Sequence, residues 1–254
     1  MDLTVAITGA TSGIGRAVAE TFVDEGAFVA VSGRDGTAVD RTVAALNGAG
    51  DDYEGGGDPE PGDETPSEEV DDERGTAWGD RVDVRDEFDL ERFFERIARE
   101  AGPVDVVFAN AGVFHGAPGD NPTTEVTYAD YDDTMRTNAR GVFTTITESV
   151  PHLADDARVL VPSGAVAAES KPGMGAYAVS KAAAEAVARG FAADLDAAVG
   201  VVDPGLVATD LTGKERARDP ESVAPLFVWA ATEAPAEDLN GGRVGLREWK
   251  TATR

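Results

Sequence analysis

Strand-like apolar runs and helically spaced apolar residues alternate along nearly all of this 254-residue chain. No other feature restricts its architecture as much. "LTVAIT" (3–8) reads as a buried strand. The next stretch places Ile14, Ala17, Val18 and Phe22 on one helical face and stops at Gly26. "AFVAVSG" (27–33) is a second strand and 36–46 a second helix. "RVDV" (81–84) reads as a short strand before a helix over 87–101. There follow "VDVVFANAG", a long helix near 127–150, "RVLVPSG", a helix carrying Tyr177, "AVGVVDPG", a helix over 220–233, and "GRVGL". Strands joined through helices pair in parallel, and continuous apolar runs are buried on both faces. The expectation is an α/β chain with a Rossmann-type, doubly wound parallel sheet, folded as one domain over 1–254 with no internal repeat.

One segment departs from the pattern. Residues 48–77 are rich in Gly, Pro, Asp and Glu and nearly devoid of apolar side chains. Such a composition buries too little surface to offset the entropy of ordering, so a flexible acidic insertion is expected there.

Charge narrows the partners. The chain has 48 acidic and 22 basic residues, for a net charge of −26, and only four lysines: Lys171, Lys181, Lys214 and Lys250. Twelve of the acids fall in 51–74, so most of the excess lies on the remaining surface. A surface dense in carboxylates and poor in lysine suits concentrated salt, which screens self-repulsion. Nucleic-acid binding is disfavoured because no basic face exists to release counterions. No run reaches the roughly 18–20 apolar residues of a membrane span, and the first strand begins too early to leave room for a signal peptide. With no cysteine there is no disulfide framework. The expected location is the cytoplasm. His115 and His152 lack metal-ligand spacing and read as surface residues, and no metal site is expected.

"TGATSGIG" (8–15) lies between the first strand and its helix. Gly9, Gly13 and Gly15 permit a tight turn, close approach of a pyrophosphate and close helix–sheet packing. The helix N-terminus beyond them offers free N–H groups to phosphate. Further on, Tyr177 and Lys181 stand four apart on a helical stretch and so share a face. A tyrosine near pKa ~10 is a poor acid–base at neutrality, and an adjacent ammonium favours its phenolate.

TGxxxGxG at the N-terminus, "NAG" at 110–112, Asn138, Tyr177-x-x-x-Lys181 and "PG" at 204–205 resemble, in this order, the single-domain short-chain dehydrogenases/reductases. The resemblance covers the chain apart from the acidic insertion. It implies cofactor binding by Gly9, Thr11, Ser12, Gly13, Ile14 and Gly15, by Asp83 and Val84 at the adenine, and by Asn110, Ala111 and Gly112 at the central strand. Pro204, Gly205, Val207 and Thr209 fit the carboxamide side. Tyr177 is implied as acid–base, Lys181 as its partner and ribose ligand, and Asn138 as support of a proton relay. Structural hydrogen bonding would equally explain a buried Asn138. At the end of the second strand, where an acid would bind a ribose 2′-OH, stand Gly33 and Arg34. Arg34 matches a 2′-phosphate and makes NADP(H) the preferred cofactor, with NAD(H) second. The other reading is a solvated arginine, with Asp35 placed to sequester it.

The family's substrate-orienting serine lies 13 positions before the tyrosine. Here that position is Gly164, and Ser163 lies 14 before. A one-residue shift on a strand turns a side chain to the other face; one extra loop residue would restore it. Ser163 is assigned the role, with Gly164 marking a lost hydroxyl as the alternative. The short segment between Thr209 and Pro220 implies an open substrate site. The expected activity interconverts a ketone or aldehyde and an alcohol, in a homodimer or homotetramer. A cofactor-binding regulator or scaffold with little turnover is the rival reading.

Overall fold

The computed structural model describes residues 1–48, 74–213 and 217–254. Seven strands form one parallel sheet: β1 (Thr4–Thr8), β2 (Phe28–Gly33), β3 (Thr76–Arg81), β4 (Val104–Phe108), β5 (Leu153–Pro162), β6 (Ala198–Asp203) and β7 (Arg243–Gly245). Their order is β3-β2-β1-β4-β5-β6-β7, so the sheet grows outward in both directions from the β1–β4 seam. This is the doubly wound α/β arrangement expected from the alternation.

Helices cover both faces. Helices α1 (Gly13–Asp24), α2 (Gly36–Leu46) and α7 (Pro220–Thr232) pack on one side. There Phe108 lies between Phe22 and Phe227, with ring centroids 5.8 and 6.1 Å away. The other side is covered by α3 (Glu87–Ala101), α5 (Gly141–Ser149) and α6 (Gly175–Asp194), over Leu90, Phe93, Phe94 and Ile146. All five residues of β1 are buried, as a strand covered on both faces requires. Helix α4 (Tyr128–Met135) continues into α5 through a π-helical turn, Arg136–Arg140. Two short helices, α8 (Ala236–Leu239) and α9 (Leu246–Ala252), flank β7. No helix among the described residues is long and apolar enough to cross a membrane.

The third strand is displaced from its expected place at 81–84. It runs over Thr76–Arg81, with Phe28 opposite Thr76 and Gly33 opposite Arg81. This sheet-edge strand is held by devices other than an aliphatic run. Asn47 exchanges two hydrogen bonds with the backbone of Ala77, at 2.8 and 2.9 Å. Trp78 stacks on Phe93 at 5.8 Å, and the Arg96 guanidinium lies over its ring at 4.7 Å. Gly79 lets α2 approach, since a Cβ there would lie 2.7 Å from Val39 Cγ1. The insertion expected over 48–77 therefore ends earlier, and its residues 49–73 lie outside the described residues.

Candidate active site

At the C-terminal edge of the sheet, where chains leave β1 and β4 in opposite directions, lies a cleft of about 330 Å³. The loop after β1 forms its floor. Gly9 and Gly13 take left-handed backbone, with φ of 66° and 53°. A Cβ on Gly9 would stand 2.7 Å from Ala111 Cα, and one on Gly15 would stand 2.5 Å from Asn110 Nδ2. The glycines thus let the loops after β1 and β4 touch. Asn110 stitches them: its Nδ2 donates to the carbonyls of Thr8 and Gly9 at 3.0 and 2.9 Å. Ser12 precedes α1 without a side-chain cap, leaving the first-turn N–H groups facing the cleft. A backbone cradle at a helix N-terminus fits a dinucleotide pyrophosphate.

Of the residues expected around a cofactor, Gly9, Thr11, Ser12, Gly13, Ile14, Gly15, Arg34, Val84, Asn110, Ala111, Gly112, Pro204, Gly205, Val207 and Thr209 all line this cleft. Arg34 makes no ion pair among the described residues. Asp35 instead caps α2, accepting from the Ala38 N–H at 3.2 Å. Gly33 is closely covered: a Cβ there would lie 2.8 Å from Thr11 Cγ2. Asp83 stands between two residues that line the cleft. Val82 and Val84 line the wall, while the Asp83 carboxylate accepts from Arg85 Nε and Nη2 at 2.9 and 2.6 Å. Those bonds to Arg85 hold the Asp83 carboxyl below the usual range, burial opposing. Arg85 also pairs with Asp133, which meets His115 Nε2 at 2.9 Å. His115 therefore belongs to a partly buried network and is not simply a surface residue.

Tyr177 and Lys181 both face the cleft from α6, with Nζ 5.7 Å from the phenol ring centroid. Lys181 Nζ donates to the Pro162 carbonyl at 2.9 Å. Burial pushes the Tyr177 phenol up to about 12 and pulls the Lys181 ammonium down to about 8, the latter opposed by Glu185. In the chain alone, desolvation thus outweighs any charge favouring phenolate. Phe114, which sequence reasoning did not single out, packs against Tyr177 with centroids 5.0 Å apart. The only available signal was its position two residues after "NAG".

Asn138 lies behind the wall, in the π-helical turn. Its Oδ1 accepts from the Val113 N–H at 2.8 Å, and its Nδ2 donates to Val113 O at 2.9 Å and Ser180 Oγ at 3.0 Å. It thereby ties the loop after β4 to α6. Ser163 lines the cleft, but its hydroxyl donates to Glu185 Oε1 at 2.6 Å. In this geometry its proton is directed to a carboxylate. Gly164 follows in extended backbone, and a Cβ there would meet nothing nearer than Asp203 Oδ1 at 3.9 Å.

Known proteins resemble this chain in sequence and in fold. A family model described as enoyl-(acyl carrier protein) reductase matches residues 60–232, and one described as short chain dehydrogenase matches residues 3–55. The hydroxynaphthalene reductase-like protein Arp2 of Metarhizium brunneum is 30% identical over 215 residues, covering 81% of this chain and 68% of that protein. Two solved structures share the fold at lower identity. The 3-ketoacyl-(acyl-carrier-protein) reductase from Brucella melitensis, complexed with NADH, is 20% identical with a TM-score of 0.78. A short chain dehydrogenase from Burkholderia cenocepacia, in complex with NADP, is 23% identical with a TM-score of 0.77. Each covers 96% of this chain and is itself covered to 96%. From its sheet order, its glycine-floored cleft and these matches, the chain belongs to the short-chain dehydrogenase/reductase family of oxidoreductases.

Proposed function

We propose that the chain is a single-domain, NADP(H)-dependent reductase or dehydrogenase interconverting a ketone or aldehyde with an alcohol. The observation that carries this reading is the convergence of Tyr177 and Lys181 on the same cleft as the Gly9–Gly15 cradle. The dinucleotide, when bound, supplies or accepts the hydride. The chain does the rest. The cradle receives the pyrophosphate through backbone N–H groups, and Lys181 holds ribose hydroxyls. Tyr177 passes the proton to or from the substrate oxygen. Asn138 fixes the Val113 loop beside them and supports the relay of protons to Lys181.

Arg34 supports NADP(H) over NAD(H). It is a guanidinium without an ion-pair partner among the described residues, at the cleft mouth, beside a Gly33 too closely covered to carry an acid. Among the structural relatives, one was solved with NADH, one with NADP and one with 5-hydroxy-NADP, so the preference rests on Arg34. Exposed Leu206 on the rim and Phe114 against Tyr177 favour an apolar carbonyl substrate. Exposed Phe143 and Val179, on the packed helices α5 and α6, support self-association as a dimer or tetramer.

The test is NADPH oxidation against a panel of ketones and aldehydes in molar KCl, with NADH in parallel and Tyr177→Phe as control. Turnover with NADPH that disappears in Tyr177→Phe is the expected result. Cofactor binding with no turnover across a broad panel would replace this reading with the regulator. The commitment of Ser163 to Glu185 is the observation that favours that alternative.

A further inference from the structure

One carboxylate behind the cleft has no part in the scheme above. Glu185 is buried on α6, one turn beyond Lys181. Its Oε1 accepts from Ser163 Oγ at 2.6 Å and from Arg243 Nη2, and its Oε2 lies 4.0 Å from Arg189 Nη1. Arg243 comes from β7. It also donates to Asp203 Oδ2 at 3.1 Å and to the Gly164 carbonyl at 3.2 Å. Asp203 in turn accepts from the Gly205 N–H at 2.9 Å, in the Pro204-Gly205 turn that lines the cleft. The ends of β5 and β6, helix α6 and strand β7 therefore meet in one ionic knot directly behind the site.

Residues four apart on a helix share a face, which sets Glu185 beside Lys181. The other groups around the ammonium divide by element. β5 brings the Pro162 carbonyl and the Ser163 hydroxyl, and α6 brings Tyr177. The knot adds Asp203 from β6 and Arg243 from β7, while Arg189 stands on the outer side of Glu185. Arg243 is shared between two carboxylates, Glu185 and Asp203.

We propose that Glu185 is a positioning residue of this site, anchoring Ser163 at the end of β5 and supplying the buried negative charge beside the Lys181 ammonium, with Arg243 as its strut. The inference rests on the reading of Tyr177 and Lys181 as the reacting pair. It also accounts for the Ser163 hydroxyl, which serves the wall of the site in place of the substrate. Burial alone drives Lys181 to give up its proton, and Glu185 opposes that drive. Without Glu185, the ammonium deprotonates at lower pH. Without Arg243, the Glu185 charge acts less opposed, and deprotonation moves to higher pH.

Four lysines make the direct measurement tractable. The chain is labelled with ε-13C-lysine, the Lys181 signal is assigned by its loss in Lys181→Met, and its titration is followed by NMR without cofactor. The wild-type midpoint is expected near 8. Glu185→Gln is expected to lower it by about one pH unit, and Arg243→Gln to raise it. The alkaline limb of kcat/KM should follow the same order. Opposite displacements cannot arise from a merely structural role, and either variant suffices should the other fail to fold. A midpoint unmoved in the folded variants overturns the proposal. Because the titration needs no turnover, inactivity against the carbonyl panel would sink the reductase reading and leave the charge coupling standing. An unmoved midpoint beside normal turnover would remove only the role of Glu185.

Discussion

Gly164 and Ser163 show how much can hang on one position. Spacing from Tyr177 located the neighbourhood of a missing or displaced hydroxyl, but not which way the Ser163 side chain turns. Its orientation is decided by Glu185, 22 residues away in sequence, and by Arg243 beyond that. No local pattern carries such information. The space beside Gly164 is open and its backbone extended, so Gly164→Ser introduces no steric conflict. If this is the position from which a substrate oxygen is held, the variant should gain turnover by about tenfold or more, within the roughly 10²–10³ associated with a single oxyanion donor. Unchanged kcat/KM in a normally folded Gly164→Ser would show that the hydroxyl is not wanted there.

Elements were legible in proportion to how much of their stability is local. Helix α3 matches its expected span, Glu87–Ala101, because its signals are its own: Asp86 caps it through the Phe88 N–H, and Leu90, Phe93, Phe94 and Ile97 repeat on one face. Strand β3 was misplaced because its support comes from Asn47, Phe93 and Arg96 on other elements. Helix α9 went unseen behind β7 for want of a strong apolar period. The π-helical turn is likewise a product of packing, and it is what delivers Asn138 to Val113. In Asn138→Ala the part-buried N–H and C=O of Val113 lose their partners. The variant should unfold with about 2–4 kcal/mol less stability in denaturant titration. A loss below about 0.5 kcal/mol would mean that water replaces the amide.

The molecule as a whole carries too few cations for its acids, and their placement matters. Arg74, Arg85, Arg92, Arg96, Arg140 and Arg243 are each paired with carboxylates. The chain still carries a net charge of −26. At about 1 M salt, screening confines repulsion to roughly 3 Å, so the fold should be stabilised broadly and not at any one pair. The melting temperature is expected to rise by about 10 °C or more between 0.1 and 2 M KCl. A flat profile would separate the acidic composition from any adaptation to salt.

The seam between β1 and β4 also bears on how the molecule comes into being. Val5 pairs with Val106 and Ile7 with Phe108, so the central contact of the sheet joins segments about a hundred residues apart. Neighbouring β1 and β2 meet early, but the loop after β1 has no opposing loop until β4 docks. Pairings of such long separation close slowly, because the intervening chain must first be confined. The nucleotide cradle is therefore a late product of folding, and it cannot template its own assembly. In stopped-flow refolding, NADPH fluorescence enhancement should appear only with the slow phase that buries Phe108. Binding in an earlier phase would show that the cradle forms from the first βαβ unit alone.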